Sequence, residues 1–280
     1  LGWRVSDHYK DGAAGWFDQI EFLAVNDPSQ RLALMQSARV DAAAQIDPMD
    51  ASTVESAQSL RLFSIPGNQH VAIDTSELDE TARLALKSSL DREDILLSGL
   101  NGYGHVGHDS PIGPFNQFYQ PQSTTGFDAD KSLSLLKSAG IDGIGINLGT
   151  LAGVPAALGL AIWQSLSLGG FAKGRDANVK IDLWSGRATE DWMLGANSSL
   201  GGYSDEIDGL RAQARVEFDS NRRADLYAQL QNHLRESSPV VIPVFANFLQ
   251  ATSARIAEPI TQGNLWPMDN ARFAERWWLS

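Results

Sequence analysis

The sequence contains no cysteine. That excludes disulfides, thiol nucleophiles and cysteine-ligated zinc, and it leaves the compartment open, since an oxidising periplasm and a reducing cytosol both tolerate a thiol-free protein. Nor is there a run of about 18 consecutive apolar residues of the kind a membrane-spanning helix needs. The longest apolar tract, LAGVPAALGLAIW, holds Pro155 and two glycines and reads as the start of a buried helix. Positive charge is scarce, with 22 Lys and Arg against 34 Asp and Glu, a formal net charge of -12. A surface that acidic repels phosphate backbones and anionic lipid, so nucleic acid is not an expected partner. The plain reading of the acidity is solubility. Signatures of catalysis are missing as well: there is no G-x-S-x-G elbow, no H-E-x-x-H and no P-loop. The chain opens on LGWRVSDHYK, without Met or a charged-then-apolar leader, so the expectation is a processed chain or a piece of a longer one.

What is present is ordinary globular material: 280 residues, 43% hydrophobic and 20% charged, enough for one large domain or two smaller ones. In FDQIEFLAVNDPSQRLALMQSARVDAAAQI, Ile20, Phe22 and Ala24 alternate as in a strand. Asp27 offers an N-cap and Pro28 a first helical residue, and Leu32, Met35 and Ala38 form a helical face before a second strand over 40–46. Strand, helix, strand predicts a parallel pair. Residues 49–61 read as a polar stretch, SIPGNQ as a turn and HVAIDT as a strand. In DETARLALKSSLDREDILLSGLNGYG, Ala82, Ala85, Leu86, Ser89 and Leu90 stack on one face of a helix. The following GYGHVGHDSPIGP is too rich in glycine and proline for a packed element, and a long ordered loop is often functional.

From Asp128 a capped helix runs to Gly140 with Leu133, Leu136 and Ala139 facing inward. IGINLGT, an apolar helix from Pro155, and NVKIDLW make a second strand-helix-strand unit. The stretch SGRATEDWMLGANSSLGG reads as a loop, residues 204–235 as two helices, PVVIPVFANF as a strand and RWWL as a closing strand with core tryptophans. Alternating strands and helices in two units indicate an α/β protein with more than one sheet. The natural crossings between two lobes fall at 61–70 and near 245.

Several of these stretches resemble, in order, the family 5 extracellular solute-binding proteins of ABC importers, the peptide, dipeptide and nickel-binding group. The D-x-x-x-R-x-A-L core followed by D-R-E-x-I is matched at Asp79, Arg83, Ala85, Leu86, Asp91, Arg92, Glu93 and Ile95. The early unit matches at Arg31, Leu34, Ser37, Val40 and Asp41. The D-P-x-K segment is matched at Asp128, Lys131, Leu135, Leu136, Ala139 and Gly140, and the late segment at Tyr203, Ser204, Ile207, Asp208, Arg223, Tyr227, Pro239 and Pro243.

The resemblance implies an α/β, periplasmic-binding-protein-like (class II) fold, with mixed sheets flanked by helices and two lobes joined by hinge crossings. On it, 1–64 is part of the first lobe, 65–245 the second and 246–280 the return to the first. It also implies an extracytoplasmic, monomeric receptor that holds a short peptide or other small solute in an interlobe cleft and delivers it to ABC permease subunits, with no cofactor and no chemistry. The expected location is the periplasm or the extracellular face of the cytoplasmic membrane. Family members are longer, with a leading portion that builds most of the first lobe. Their tryptophan-acidic segment is compressed here to LWSGRATEDWMLGANSSLGGYS.

A solute site needs aromatic area and a few charges, and Trp184, Arg187, Glu190, Asp191 and Trp192 bring both together at the end of a strand. Glu190 or Asp191 would take a peptide ammonium group, and Arg187 a carboxylate through its fork. The bland reading is a solvated loop with one tryptophan packed on the lobe. Two alternatives stay open: an α/β hydrolase-type enzyme using the carboxylates of 184–192, and a lobe fragment that binds nothing. His105 and His108 lack a third metal ligand at suitable spacing and read as ordinary loop histidines, so no metal is expected. Gly102, Gly104 and Gly107 lack the strand-to-helix setting of a dinucleotide loop.

Overall fold

The computed structural model of the protein describes residues 2–4, 15–121, 126–142, 144–148, 154–174, 176–184, 189–198 and 203–280. Along the chain run β1 (Gly2–Arg4), β2 (Gln19–Glu21), α1 (Pro28–Gln36), β3 (Ala42–Ala44), α2 (Ala51–Ser56), β4 (Leu60–Ile65), β5 (His70–Asp74), α3 (Glu80–Ser89), α4 (Arg92–Leu100) and β6 (Gly104–Val106). They are followed by α5 (Ala129–Ser138), β7 (Ile144–Leu148), α6 (Ala156–Leu168), β8 (Phe171–Lys173), β9 (Ala177–Trp184), α7 (Glu190–Ser198), α8 (Asp205–Val216) and α9 (Ser220–Ser237). The chain finishes with β10 (Val240–Val241), β11 (Val244–Ala246), β12 (Phe248–Ser253), β13 (Ile256–Ala257), α10 (Pro267–Asn270), α11 (Phe273–Arg276) and β14 (Trp278–Leu279). Two compact units result, one of residues 1–67 with 247–280 and one of residues 68–246.

The first unit is built on the antiparallel sheet β3-β12-β4. Asp27 caps α1 by accepting from the Gln30 amide at 2.8 Å, and Pro28 takes the first helical position, as the sequence indicates. Leu32 and Met35 are buried; Ala38 is not, because the helix stops at Ser37 and Ala38 turns away with φ 53°. The parallel pair expected here does not form. β2 pairs antiparallel with β1, and β3 pairs antiparallel with β12, so the two strands flanking α1 sit in different sheets. Periodicity identifies an element but not its partner. Arg31 clasps the entry to α1, donating to the Val25, Asn26 and Gln45 carbonyls at 2.8–2.9 Å. The stretch 49–61, expected to be merely polar, contains α2 and the first residues of β4. At the closing end Trp277 is buried, while Trp278 is partly exposed on β14.

The second unit is a seven-stranded mixed sheet ordered β6-β11-β5-β9-β7-β8, with β10 beside β5. The second strand-helix-strand expectation holds: β7 runs parallel to both β8 and β9. Val71, Ile73, Val179 and Ile181 from the sheet meet Ala85, Leu86, Ile95, Leu158 and Ile162 from α3, α4 and α6 in the main core. The helical face read from Ala82, Ala85, Leu86, Ser89 and Leu90 is buried throughout. On α5 the buried positions are Ser132 and Leu136; Leu133 and Ala139 face outward. Helices α4 and α6 approach closely at Gly99, where a Cβ would lie 2.8 Å from the Leu158 Cα.

The join between α3 and α4 explains the LDRED segment. Asp91 caps α4 on the Asp94 amide at 3.0 Å, and the next residue, Arg92, turns into the interior. Its guanidinium donates to the Gly107 and Ile242 carbonyls at 2.9 and 2.8 Å and to both oxygens of buried Asp109 at 2.9 and 3.1 Å. Asp109 also accepts from the Ile242 amide at 3.0 Å and lies 3.6 Å from the Lys87 ammonium, which donates to the Arg235 carbonyl. Burial holds the Lys87 pKa below its ordinary value, against the pull of Asp109. One buried carboxylate thus ties α3, α4, the loop after β6 and the β10–β11 turn together.

Candidate functional site

The region expected to hold the solute is on the second unit, at the end of β9 and the start of α7. β9 pairs antiparallel with β5, which sets Trp184 opposite His70. Trp184 is half-buried and packs on the small cluster of Ala72, Val240, Ile242 and Phe245. Arg187 lies outside the described residues. The stretch read as a loop is in fact helical from Glu190: Thr189 accepts from the Trp192 amide at 3.2 Å, and Glu190 and Asp191 occupy the first turn, where the helix dipole favours carboxylates.

Helical periodicity then divides the side chains. Met193 and Leu194 turn inward, Leu194 into a second core with Ile112, Phe118, Ile207, Tyr227 and Leu230, while Trp192 stays 53% exposed. Glu190 accepts from the Asn116 side chain at 3.0 Å. Asp191 accepts from Arg211 at 2.8 Å and lies 3.6 Å from Arg215. The structure therefore brings Glu190, Asp191 and Trp192 onto one helical turn and gives the two acids different surroundings. Asp191 is neutralised by α8, whereas Glu190 faces neutral amides.

Loop 107–121 meets this region through Asn116 and is firmly packed. Gln231 of α9 donates to the Phe118 and Tyr227 carbonyls, both at 2.9 Å, and accepts from the Gln120 amide at 3.3 Å. Phe118 stacks on Tyr227 with ring centroids 4.8 Å apart. Burial, reinforced by Glu190 and Asp191, raises the Tyr227 pKa, and burial raises that of Tyr203. His105 packs edge-on to Phe115 at 4.9 Å, and burial depresses the pKa of both His105 and His108. Among the described residues no group of three His, Asp or Glu side chains could hold a metal ion.

Asn116, Gln117 and Arg211 are the site neighbours that the sequence did not suggest. They reach Glu190 and Asp191 across 20 to 74 residues of chain, and no local pattern signals such pairings. Several of the matched motif residues, by contrast, are scaffold. Arg31 and Arg92 hold backbone carbonyls, Asp79, Asp91, Asp128 and Ser204 cap helices, and Tyr227 packs in a core. Two cavities of the first unit, about 410 and 730 Å³, are lined by none of the described residues of 184–192.

Residues 3–156 match the family described as bacterial extracellular solute-binding proteins, family 5 Middle. The chain belongs to that family. No curated protein matches it by sequence. Among solved structures it is similar to the PBP AgaA from A. tumefaciens R10 in complex with agropinic acid, at 16% identity and a TM-score of 0.84, over 100% of this chain and 64% of that one. It is similar to the periplasmic binding protein DppA from Helicobacter pylori in complex with the peptide STSA, at 16% identity and 0.84, over 98% and 60%. A third is the dipeptide-binding protein from Pseudoalteromonas sp. SM9913 in complex with Met-Leu, at 17% identity and 0.83, over 100% and 61%. The fold is that of the periplasmic binding proteins, and the family is one of solute-binding proteins, not enzymes. The chain spans about three-fifths of the length of these matched structures.

Proposed function

We propose that this chain is the extracytoplasmic solute-binding part of an ABC importer, holding a peptide-like solute and presenting it to permease subunits as a monomer. The observation that carries the reading is the family match over residues 3–156, made to a family of extracellular solute-binding proteins. Residues 68–246 form the second lobe on this reading, and residues 1–67 with 247–280 belong to the first. The periplasm, or the outer face of the cytoplasmic membrane, is where such a receptor meets its solute.

Within the second lobe the solute is held at the start of α7. Trp192 supplies exposed aromatic area and Trp184 a second aromatic wall, Glu190 takes a ligand ammonium group, and Arg187 takes a carboxylate. Asp191, already paired with Arg211, serves chiefly to fix the α7 turn to α8. A hydrolase using these carboxylates finds no support in the family match.

Native mass spectrometry of the gently purified protein tests the reading. A retained solute mass is expected, lost on Glu190→Ala or Trp192→Ala with the circular dichroism spectrum unchanged. Retention in both variants would move the site elsewhere, and absence of any binder across a short-peptide library would remove the peptide assignment.

A further inference from the structure

Glu190 and Asp191 are neighbours in the first turn of α7, yet they meet opposite kinds of partner. Asp191 accepts from Arg211 with one oxygen at 2.8 Å and turns the other toward Arg215 at 3.6 Å, so cations of α8 engage both. Glu190 forms no ion pair with any described residue. Its Oε1 accepts from the Asn116 carboxamide at 3.0 Å, with the Gln117 amide behind it at 3.5 Å, and its Oε2 accepts from no described residue.

Asn116 is held in place by the backbone around it. The Asn116 amide donates to the Gly113 carbonyl and the Tyr119 amide to the Asn116 carbonyl, both at 3.0 Å. Within that turn the Phe118 amide donates to the Asn116 Oδ1 at 2.9 Å. A backbone N–H needs an acceptor, so Oδ1 must face it and the NH2 group must face Glu190; the reverse orientation would set donor against donor and carbonyl oxygen against carboxylate. Phe118 is fixed in turn, its ring stacked on Tyr227 and its carbonyl accepting from Gln231 of α9 at 2.9 Å. The donor aimed at Oε1 is therefore part of the scaffold.

An occupied oxygen changes which cation a carboxylate prefers. Guanidinium binds best through two parallel N–H donors, one to each oxygen. At Glu190 one arm of that fork would meet the N–H groups of Asn116 and Gln117 instead of a free lone pair. An ammonium group is compact, and a single N–H donated to Oε2 holds it. Given the solute site proposed at the start of α7, on which this inference rests, we propose that Asn116, backed by Gln117, is a positioning residue that reserves one oxygen of Glu190 for the solute and makes the site select a primary ammonium over a guanidinium.

Benzylammonium and benzylguanidinium are the probes, since their ring suits the exposed Trp192 and neither is a peptide. Each is titrated into the full chain while the Trp192 indole resonance is followed by NMR, with Glu190→Gln as the variant that removes the charge. Benzylammonium should bind more tightly by about tenfold, the worth of one charge-assisted hydrogen bond, and Glu190→Gln should abolish the response to both probes. Asn116→Ser keeps an acceptor for the Phe118 amide; combined with Gln117→Ala it frees Oε1, and the two affinities should then lie within about twofold of each other. Asn116→Asp keeps the same acceptor and turns a second carboxylate oxygen toward the site, so it should favour the guanidinium. A role confined to holding the loop would weaken both probes alike, and an unchanged ratio in these variants would overturn the proposal. Equal affinities in the unaltered protein, with Glu190→Gln still abolishing both, would overturn the role of Asn116 and leave the solute site standing. No response to either probe would remove the site and the inference together.

Discussion

Replacing Asp109 by Ala should be among the most damaging single changes in the second unit. Its side chain is 2% exposed and, among the described residues, is the sole carboxylate paired with both Arg92 and Lys87, whose side chains are each 4% exposed. Without it, Arg92 keeps the Gly107 and Ile242 carbonyls and Lys87 keeps the Arg235 carbonyl, but two buried cations face each other with no anion, and the Ile242 amide loses its acceptor. Breaking a buried pair by removing one partner costs about 3–5 kcal/mol, and the surviving carbonyl bonds hold the expected loss near 4 kcal/mol. With a urea slope of about 2 kcal/mol/M, the unfolding midpoint of this unit should fall by about 2 M. Asp109→Asn keeps an acceptor for Ile242 and loses only the charge, so its midpoint should fall between the two. Arg92→Met combined with Asp109→Leu should cost less than Asp109→Ala alone, because no unpaired arginine remains. A loss below about 1 kcal/mol for Asp109→Ala would refute the reasoning, since the network would then be only as strong as a surface ion pair.

Two further outcomes follow from the same geometry. Burial holds His105 and His108 below the ordinary 6.5, so the unfolded chain takes up their protons first; stability is intact above pH 6.5 and declines as pH falls beneath it, and an imidazole titration by NMR at or above 6.5 would contradict this. Gly99→Val would drive a side chain into the Leu158 backbone and should destabilise the second unit by about 1–3 kcal/mol, read as a lower Tm by circular dichroism; an unchanged Tm would mean that α4 and α6 are not packed as described.

Much of the fold was legible because local rules decide it. Asp27 before Pro28 marks the start of α1, Asp128 marks that of α5, and the stripe from Ala82 to Leu90 marks the buried face of α3. What escaped had non-local causes. The pairing of β3 with β12 joins residues about 200 apart, so the pattern around α1 could not reveal that its strands belong to different sheets. Helix α7 was obscured by Gly195, Asn197 and Ser198, which weigh against a helix until Leu194 finds its core. In the candidate site, residue types were readable but their surroundings were not: the sequence offers Glu190 and Asp191 as equals, and only Arg211 from α8 and Asn116 from the loop tell them apart.

The most direct test of solute binding without chemistry is a thermal-shift titration with defined short peptides, followed by mass analysis of the recovered peptide. At one hundred times the dissociation constant, a ligand stabilises the folded form by about 2.7 kcal/mol, which should raise the Tm by about 5–10 °C. A shift of that size with the peptide recovered intact is the expected result, and a peptide recovered cleaved, or a flat melt across the whole series, would contradict the account.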